Sequence, residues 1–98
     1  MLKITKTLFA EEDLINIWVY TLQEWGEVQA DHYLDNLEEI FKQISETPMM
    51  ARERQEYNPP VRIHPHEHHL IIYRASDTEV EIIRVLHENM SVDSHLSL

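Results

Sequence analysis

Four histidines fall within six positions of this 98-residue chain, at His64, His66, His68 and His69. Histidine is both a common metal ligand and a side chain that titrates near neutral pH, so the cluster offers two chemistries. As a metal site it begins well, because alternate residues of a strand share a face and His64 and His66 can then point the same way. Pro65 and the turn expected after it break that geometry, and the chain has no cysteine to complete a zinc set. A polar hairpin without metal or cofactor is the expected outcome, with His69 leading into a buried strand. As an acid–base site, His64 and His87 are the candidate proton carriers for cleavage of RNA by its own 2′-hydroxyl. Arg52, Arg54, Arg62 and Arg84 would then stabilise the charged phosphorane.

Charge argues against the second chemistry. Eighteen Asp and Glu oppose eight Lys and Arg, a formal net charge of -10, and no lysine follows Lys42. An acidic body is repelled by nucleic acid, whose affinity for proteins comes from neutralised phosphates. No catalytic residue and no direct nucleic-acid binding are therefore expected. Arg84 stands apart because it interrupts an apolar run, which is costly unless the guanidinium is paired or reaches water. A structural ion pair with Glu56 or Glu81 is one reading, and a contact with another macromolecule is the other.

These residues need a scaffold, and the hydrophobic pattern supplies one. The length suits one domain over residues 1–98. The amino terminus lacks the apolar stretch of a signal peptide, and no run is long enough to span a membrane, so a cytoplasmic location is expected. Residues 2–9 read as a short strand. Acids at Glu11, Glu12 and Asp13 suit a helix start, after which Leu14, Ile17, Trp18, Thr21, Leu22 and Trp25 recur at helical spacing. Gly26, the only glycine, ends that helix. A second helix is predicted from about Val28 to Glu46 on the stripe Ala30, Tyr33, Leu34, Leu37, Phe41 and Ile44, stopped by Pro48. The short connection makes the pair an antiparallel hairpin over about residues 10–47. Beyond it, Pro59-Pro60 bars regular pairing. Strands are predicted at Val61–His64, His69–Tyr73 and Val80–His87, with a turn at Pro65-His66-Glu67 and a break at Ala75–Thr78. The tail from Glu88 to Leu98 offers Val92 and Leu96 for docking. The predicted fold is α+β, in the order β-α-α-β-β-β: a helical hairpin packed on one face of an antiparallel sheet spanning about residues 61–87.

In that order the residues resemble the ParE branch of the ParE/RelE toxin superfamily. Glu12-Asp13-Leu14, Ile17-Trp18, Glu24-Trp25-Gly26, Gln29-Ala30 and Tyr33-Leu34 are similar to the family's opening. Arg62, His64-Pro65 and His69 through Arg74 are similar to its central strands. Ile82 through His87, then Met90 and His95-Leu96, are similar to its last strand and carboxyl end. The likeness runs over nearly the whole chain. Departures fall at Met49-Met50-Ala51, where the family commonly has a glycine; at Pro59-Pro60, in place of a glycine before the central arginine; and at Met90-Ser91, in place of Met-Asp.

The resemblance implies a toxin of a type II toxin–antitoxin module, silenced in a hetero-oligomer by its cognate antitoxin. Several ParE-like toxins inhibit DNA gyrase, without catalytic residues or cofactor. The family's histidines at the places of His64 and His69 occur without metal. RelE-like relatives, which cut messenger RNA on the ribosome, and inactive relatives that retain only antitoxin binding are the alternatives. Carried onto this chain, the target-binding candidates are Arg62, Arg84, His87 and Met90. The antitoxin-binding candidates are Trp18, Leu22, Tyr33, Tyr73 and Arg74, on a groove that an antitoxin's carboxyl-terminal segment fills, burying apolar surface or adding a strand.

Overall fold

Thr7 decides where the first strand ends and the first helix begins. In the computed structural model, which describes residues 1–96, its hydroxyl donates to the Ile83 carbonyl at 2.7 Å and accepts the Ala10 N–H at 3.0 Å. That side-chain cap closes strand β1 at Lys3–Lys6 and starts helix α1 at Leu8–Trp25. The strand expected over residues 2–9 is accordingly shorter, and Leu8 and Phe9 lie in the helix's first turn, exposed. Ala10, Leu14, Ile17 and Thr21 form the buried stripe of α1.

Gly26 alone joins α1 to helix α2 (Glu27–Glu46). Its φ of 91° and ψ of 172° belong to a region that side chains with a Cβ avoid, so the one glycine is placed where backbone geometry demands it. Helix α2 buries Ala30, Leu37, Phe41 and Ile44, and its outer side carries Asp31, Asp35, Glu38 and Glu39 in water. A 3₁₀ turn at Pro48–Met50 follows. The remaining elements are β2 (Glu53–Arg54), β3 (Val61–His66), β4 (His69–Ala75), β5 (Glu79–His87) and a short helix α3 (Val92–Leu96).

The five strands form one sheet in the order β1-β5-β4-β3-β2. The meander β2-β3-β4-β5 is antiparallel as expected, but the sheet as a whole is mixed. β1 lies parallel to β5, with Lys3 opposite Glu79 and Lys6 opposite Ile82. This corrects the all-antiparallel sheet of the sequence reading: a strand followed by a helical hairpin returns to the sheet through a crossover, so its direction is free to match that of β5. β2 arises in a segment left without regular structure, pairing Glu53 with Arg62 and Arg54 with Val61.

Two further details differ from the sequence reading. β3 runs on through Pro65, and the turn moves to Glu67-His68, where Glu67 takes a φ of 53°. In a two-residue hairpin closed by His66 and His69, the Pro65 nitrogen points away from β4, onto the side that β2 has already left. β5 carries a bulge: its pairing with β4 passes from Ile72–Arg84 to Tyr73–Ile82, leaving Ile83 over. The bulge lets Ile82 and Val85 both face the helices.

Apolar residues therefore pack on both faces. On the helical side Leu14, Ile17, Leu37, Phe41 and Ile44 meet Ile71, Tyr73, Val80, Ile82 and Val85. On the other side Val61, Ile72 and Leu86 are covered by Tyr57, Ile63, Ile83 and, from α3, Val92 and Leu96. The two docking residues expected of the tail thus sit on the sheet; Ser97 and Leu98 lie outside the described residues. No described helix is long and apolar enough to cross a membrane.

Candidate functional site

The pairing of β1 with β5 ends at Ile82. The second half of β5 consequently has no strand neighbour on that side, and a groove opens between it and the helical hairpin. The groove has a volume of about 980 Å³. Asn16, Ile17, Tyr20, Thr21 and Trp25 of α1 form one wall, and Gln29 and Tyr33 of α2 its end. Val85 and His87 of β5, His69 of β4, Glu67-His68 of the hairpin turn and Met90 complete it.

At the root of the groove, Asp13 answers the question raised by Arg84. Its carboxylate accepts Arg84 Nε at 2.8 Å and a terminal guanidinium nitrogen at 2.9 Å, and also the Val85 N–H at 3.0 Å. The Phe9 ring lies 5.5 Å from the guanidinium carbon. Neither Glu56 nor Glu81 is the partner, correcting the sequence reading; those acids engage Arg54 and Arg74 instead. Asp13 was read from the sequence as a charge at a helix start and as part of the family-like opening, with no partner assigned. It is the group that ties α1 to the bulge and satisfies a backbone donor on the open edge of β5. The hydrogen bond to Asp13 raises the Arg84 pKa further, so this cation is fixed in the charged form.

The far end of the groove is a cluster of rings. The Tyr33 hydroxyl hydrogen-bonds His69 Nδ1, and the His69 ring meets that of His87, its cross-strand partner, edge-on at 5.5 Å. Burial pushes the Tyr33 hydroxyl up to about 12, helped by the charges of Glu67 and Glu88. Burial also pushes His69 down to about 4, with His87, His68 and His66 adding to the effect. Both groups are neutral at physiological pH. His87 Nδ1 accepts the Asn89 N–H at 3.1 Å. Among the described residues, no three or more His, Cys, Asp or Glu side chains are gathered closely enough to hold a metal ion.

The candidate residues divide sharply. His87 and Met90, named as target contacts, and Tyr33, named as an antitoxin contact, all line this one groove. Arg62 is elsewhere, donating to the Ala51 carbonyl at 2.6 Å and so fastening β3 to the segment after the 3₁₀ turn. Trp18 is half-buried between the helices, its indole N–H donated to Asp31 at 3.0 Å, and Leu22 is also half-buried. Tyr73 has no exposed surface to offer a partner; its hydroxyl donates to the Pro48 carbonyl at 2.7 Å inside the core. Arg74 points to the face away from the helices, 3.7 Å from Glu81. Sequence reasoning missed Tyr20, Gln29 and Glu67. It placed Trp25 in the core stripe, whereas 73% of that residue is exposed. The signal for Tyr20 was present: a large aromatic off the buried stripe of an amphipathic helix.

The groove is thus lined by aromatic, apolar and neutral polar groups together with the carboxylates of Asp13 and Glu67, and no lysine or arginine lines it. The comparisons agree on one family. Residues 4–92 match the family described as the ParE toxin of type II toxin–antitoxin system, parDE. The chain is 37% identical over 87 residues to Toxin ParE1 of Caulobacter vibrioides, covering 89% of this chain and 90% of that one. To Toxin ParE1 of Mycobacterium tuberculosis it is 32% identical over 88 residues, and to Toxin ParE of Escherichia coli 30% over 93 residues. The fold matches a chain of the chromosomal ParDE TA system from P. aeruginosa with a TM-score of 0.76 at 21% identity, covering 89% and 96% of the two chains. Family model, relatives and fold thus coincide over almost the entire chain, which belongs to the ParE toxins of type II toxin–antitoxin systems.

Proposed function

We propose that this chain acts by binding, without catalysis of its own, and that the groove beside the open half of β5 is where it is both active and silenced. The carrying observation is that His87 and Met90, expected to touch the target, share the groove with Tyr33, expected to touch the antitoxin. An antitoxin segment laid in the groove then excludes the target by occupying the same surface. With the Val85 N–H of the open edge already held by Asp13, the groove supports entry chiefly through apolar side chains buried toward Ile17 and Val85. The solved relative's description as a ParDE system supports an antitoxin as the partner. By the family resemblance, the target is DNA gyrase.

The test combines growth and biochemistry. Induced alone, the chain should produce filamentous, dying cells, and the purified protein should inhibit supercoiling by purified gyrase. Coexpression of its antitoxin should restore growth. In-frame cuts in transcripts with gyrase unaffected would replace this reading with ribosome-dependent messenger RNA cleavage. Normal growth with soluble protein would reduce the chain to an antitoxin-binding relative.

A further inference from the structure

The rim of the groove is chemically one-sided. Tyr20, Trp25 and Tyr33 present aromatic rings there together with the Glu67 carboxylate, and no lysine or arginine lines it. Trp25 and Tyr20 are 73% and 62% exposed, a large aromatic area facing water at a concave site. Glu67 is carried on the two-residue turn between β3 and β4, and its charge and that of Glu88 are felt at the Tyr33 hydroxyl. One histidine already stands beside the carboxylate, His66 Nε2 at 3.9 Å from Glu67, so an arginine there would have to compete with it. His69 is neutral near pH 7, and His68 lies 3.5 Å from the Glu88 carboxylate.

Aromatic faces and a carboxylate lining one groove, inside an acidic body, favour a planar and weakly hydrated cation. A guanidinium can stack on a ring and bond a carboxylate through two parallel N–H groups, whereas a lysine ammonium is a compact, strongly hydrated charge. A second copy of this chain is a poor occupant, since each carries a net charge of -10. We propose that the rim is a subsite for an arginine side chain on the antitoxin segment, stacked against the exposed aromatic rings and paired with Glu67. This rests on the reading of the groove as the antitoxin's seat and adds the chemistry that the seat selects.

The two tryptophans make the test direct, because Trp25 is on the rim while Trp18 is tied to Asp31 and serves as an internal reference. The indole N–H resonances of the uniformly ¹⁵N-labelled, full-length protein would be followed at pH 7.5 against three capped tripeptides. These are acetyl-Leu-Arg-Leu-amide, its citrulline counterpart and its glutamate counterpart. The arginine peptide should shift Trp25 saturably and leave Trp18 in place. It should bind at least threefold more tightly than the citrulline peptide, and Glu67→Gln should remove most of that difference without lowering the melting temperature. Equal affinity for arginine and citrulline, a response at Trp18 alone, or no saturation would overturn the subsite. Failure of the underlying seat shows elsewhere: the antitoxin would bind a Met90→Glu variant with unchanged affinity.

Discussion

Arg84 shows how a residue marked by its chemistry can be recruited by the fold. An arginine in an apolar strand asks for a partner, and the sequence offered Glu56 or Glu81. Asp13, 71 positions away, is the partner, because it sits at the open edge of β5, where it takes the Arg84 guanidinium and the Val85 N–H together. Both side chains are mostly buried, so removing one leaves the other without compensation. Arg84→Ala should lower stability by roughly 2–3 kcal/mol, in the range of hydrogen bonds to charged groups. A double-mutant cycle with Asp13→Ala, read by urea denaturation, should give a coupling of about 1 kcal/mol or more. Additive losses would show that the pair is not the tie described. Loss of toxicity in Arg84→Ala is therefore interpretable only beside its stability.

His69 makes a pH prediction at the same scale. Its pKa falls from 6.5 to about 4 on folding, chiefly through burial, so the unfolded chain binds more protons between those values. Stability from this group is full above about pH 6.5, declines as the pH falls, and is lost below about 4. His69→Gln should flatten the fall in urea midpoint between pH 6.5 and 4. An unchanged slope would assign it to other groups.

At the scale of elements, the helices were legible because their apolar stripes are long and their ends are punctuated. Leu14, Ile17 and Thr21 recur at helical spacing, Gly26 stops one helix and Pro48 the next. The single-residue connection concentrates its requirement on Gly26, where an added Cβ meets no atom within 4 Å. The cost of Gly26→Ala is therefore backbone strain without a clash, about 1–3 kcal/mol, and should appear as a lowered denaturation midpoint. A neutral Gly26→Ala would mean that the connection relaxes. The parallel pairing of β1 was not legible, since Ile4 and its neighbours carry no mark of direction. Nor was the continuation of β3 through Pro65, which depends on which side of that strand lacks a neighbour. Trp25 was misplaced because helical spacing gives a face, not the point at which the sheet stops covering it.

For the whole molecule, charge and shape argue together. A net charge of -10 disfavours nucleic acid, and among the residues lining the groove there is no lysine or arginine. The family was legible in the ordered set of segments, whereas the groove was legible only in part. Tyr33 was named for the antitoxin groove and His87 and Met90 for the target, and their meeting at one place depends on where β1 leaves β5. That convergence is the central claim: one surface serves both partner and target. The most direct measurement is therefore Met90→Glu, since Met90 is 47% exposed and lines the groove, so a charge there should disturb the surface and not the core. Growth arrest on induction and affinity for the antitoxin would be scored together on protein with an unchanged melting temperature. The account predicts that both are lost, affinity by tenfold or more. Full toxicity with antitoxin binding abolished, or the reverse, would contradict a shared surface.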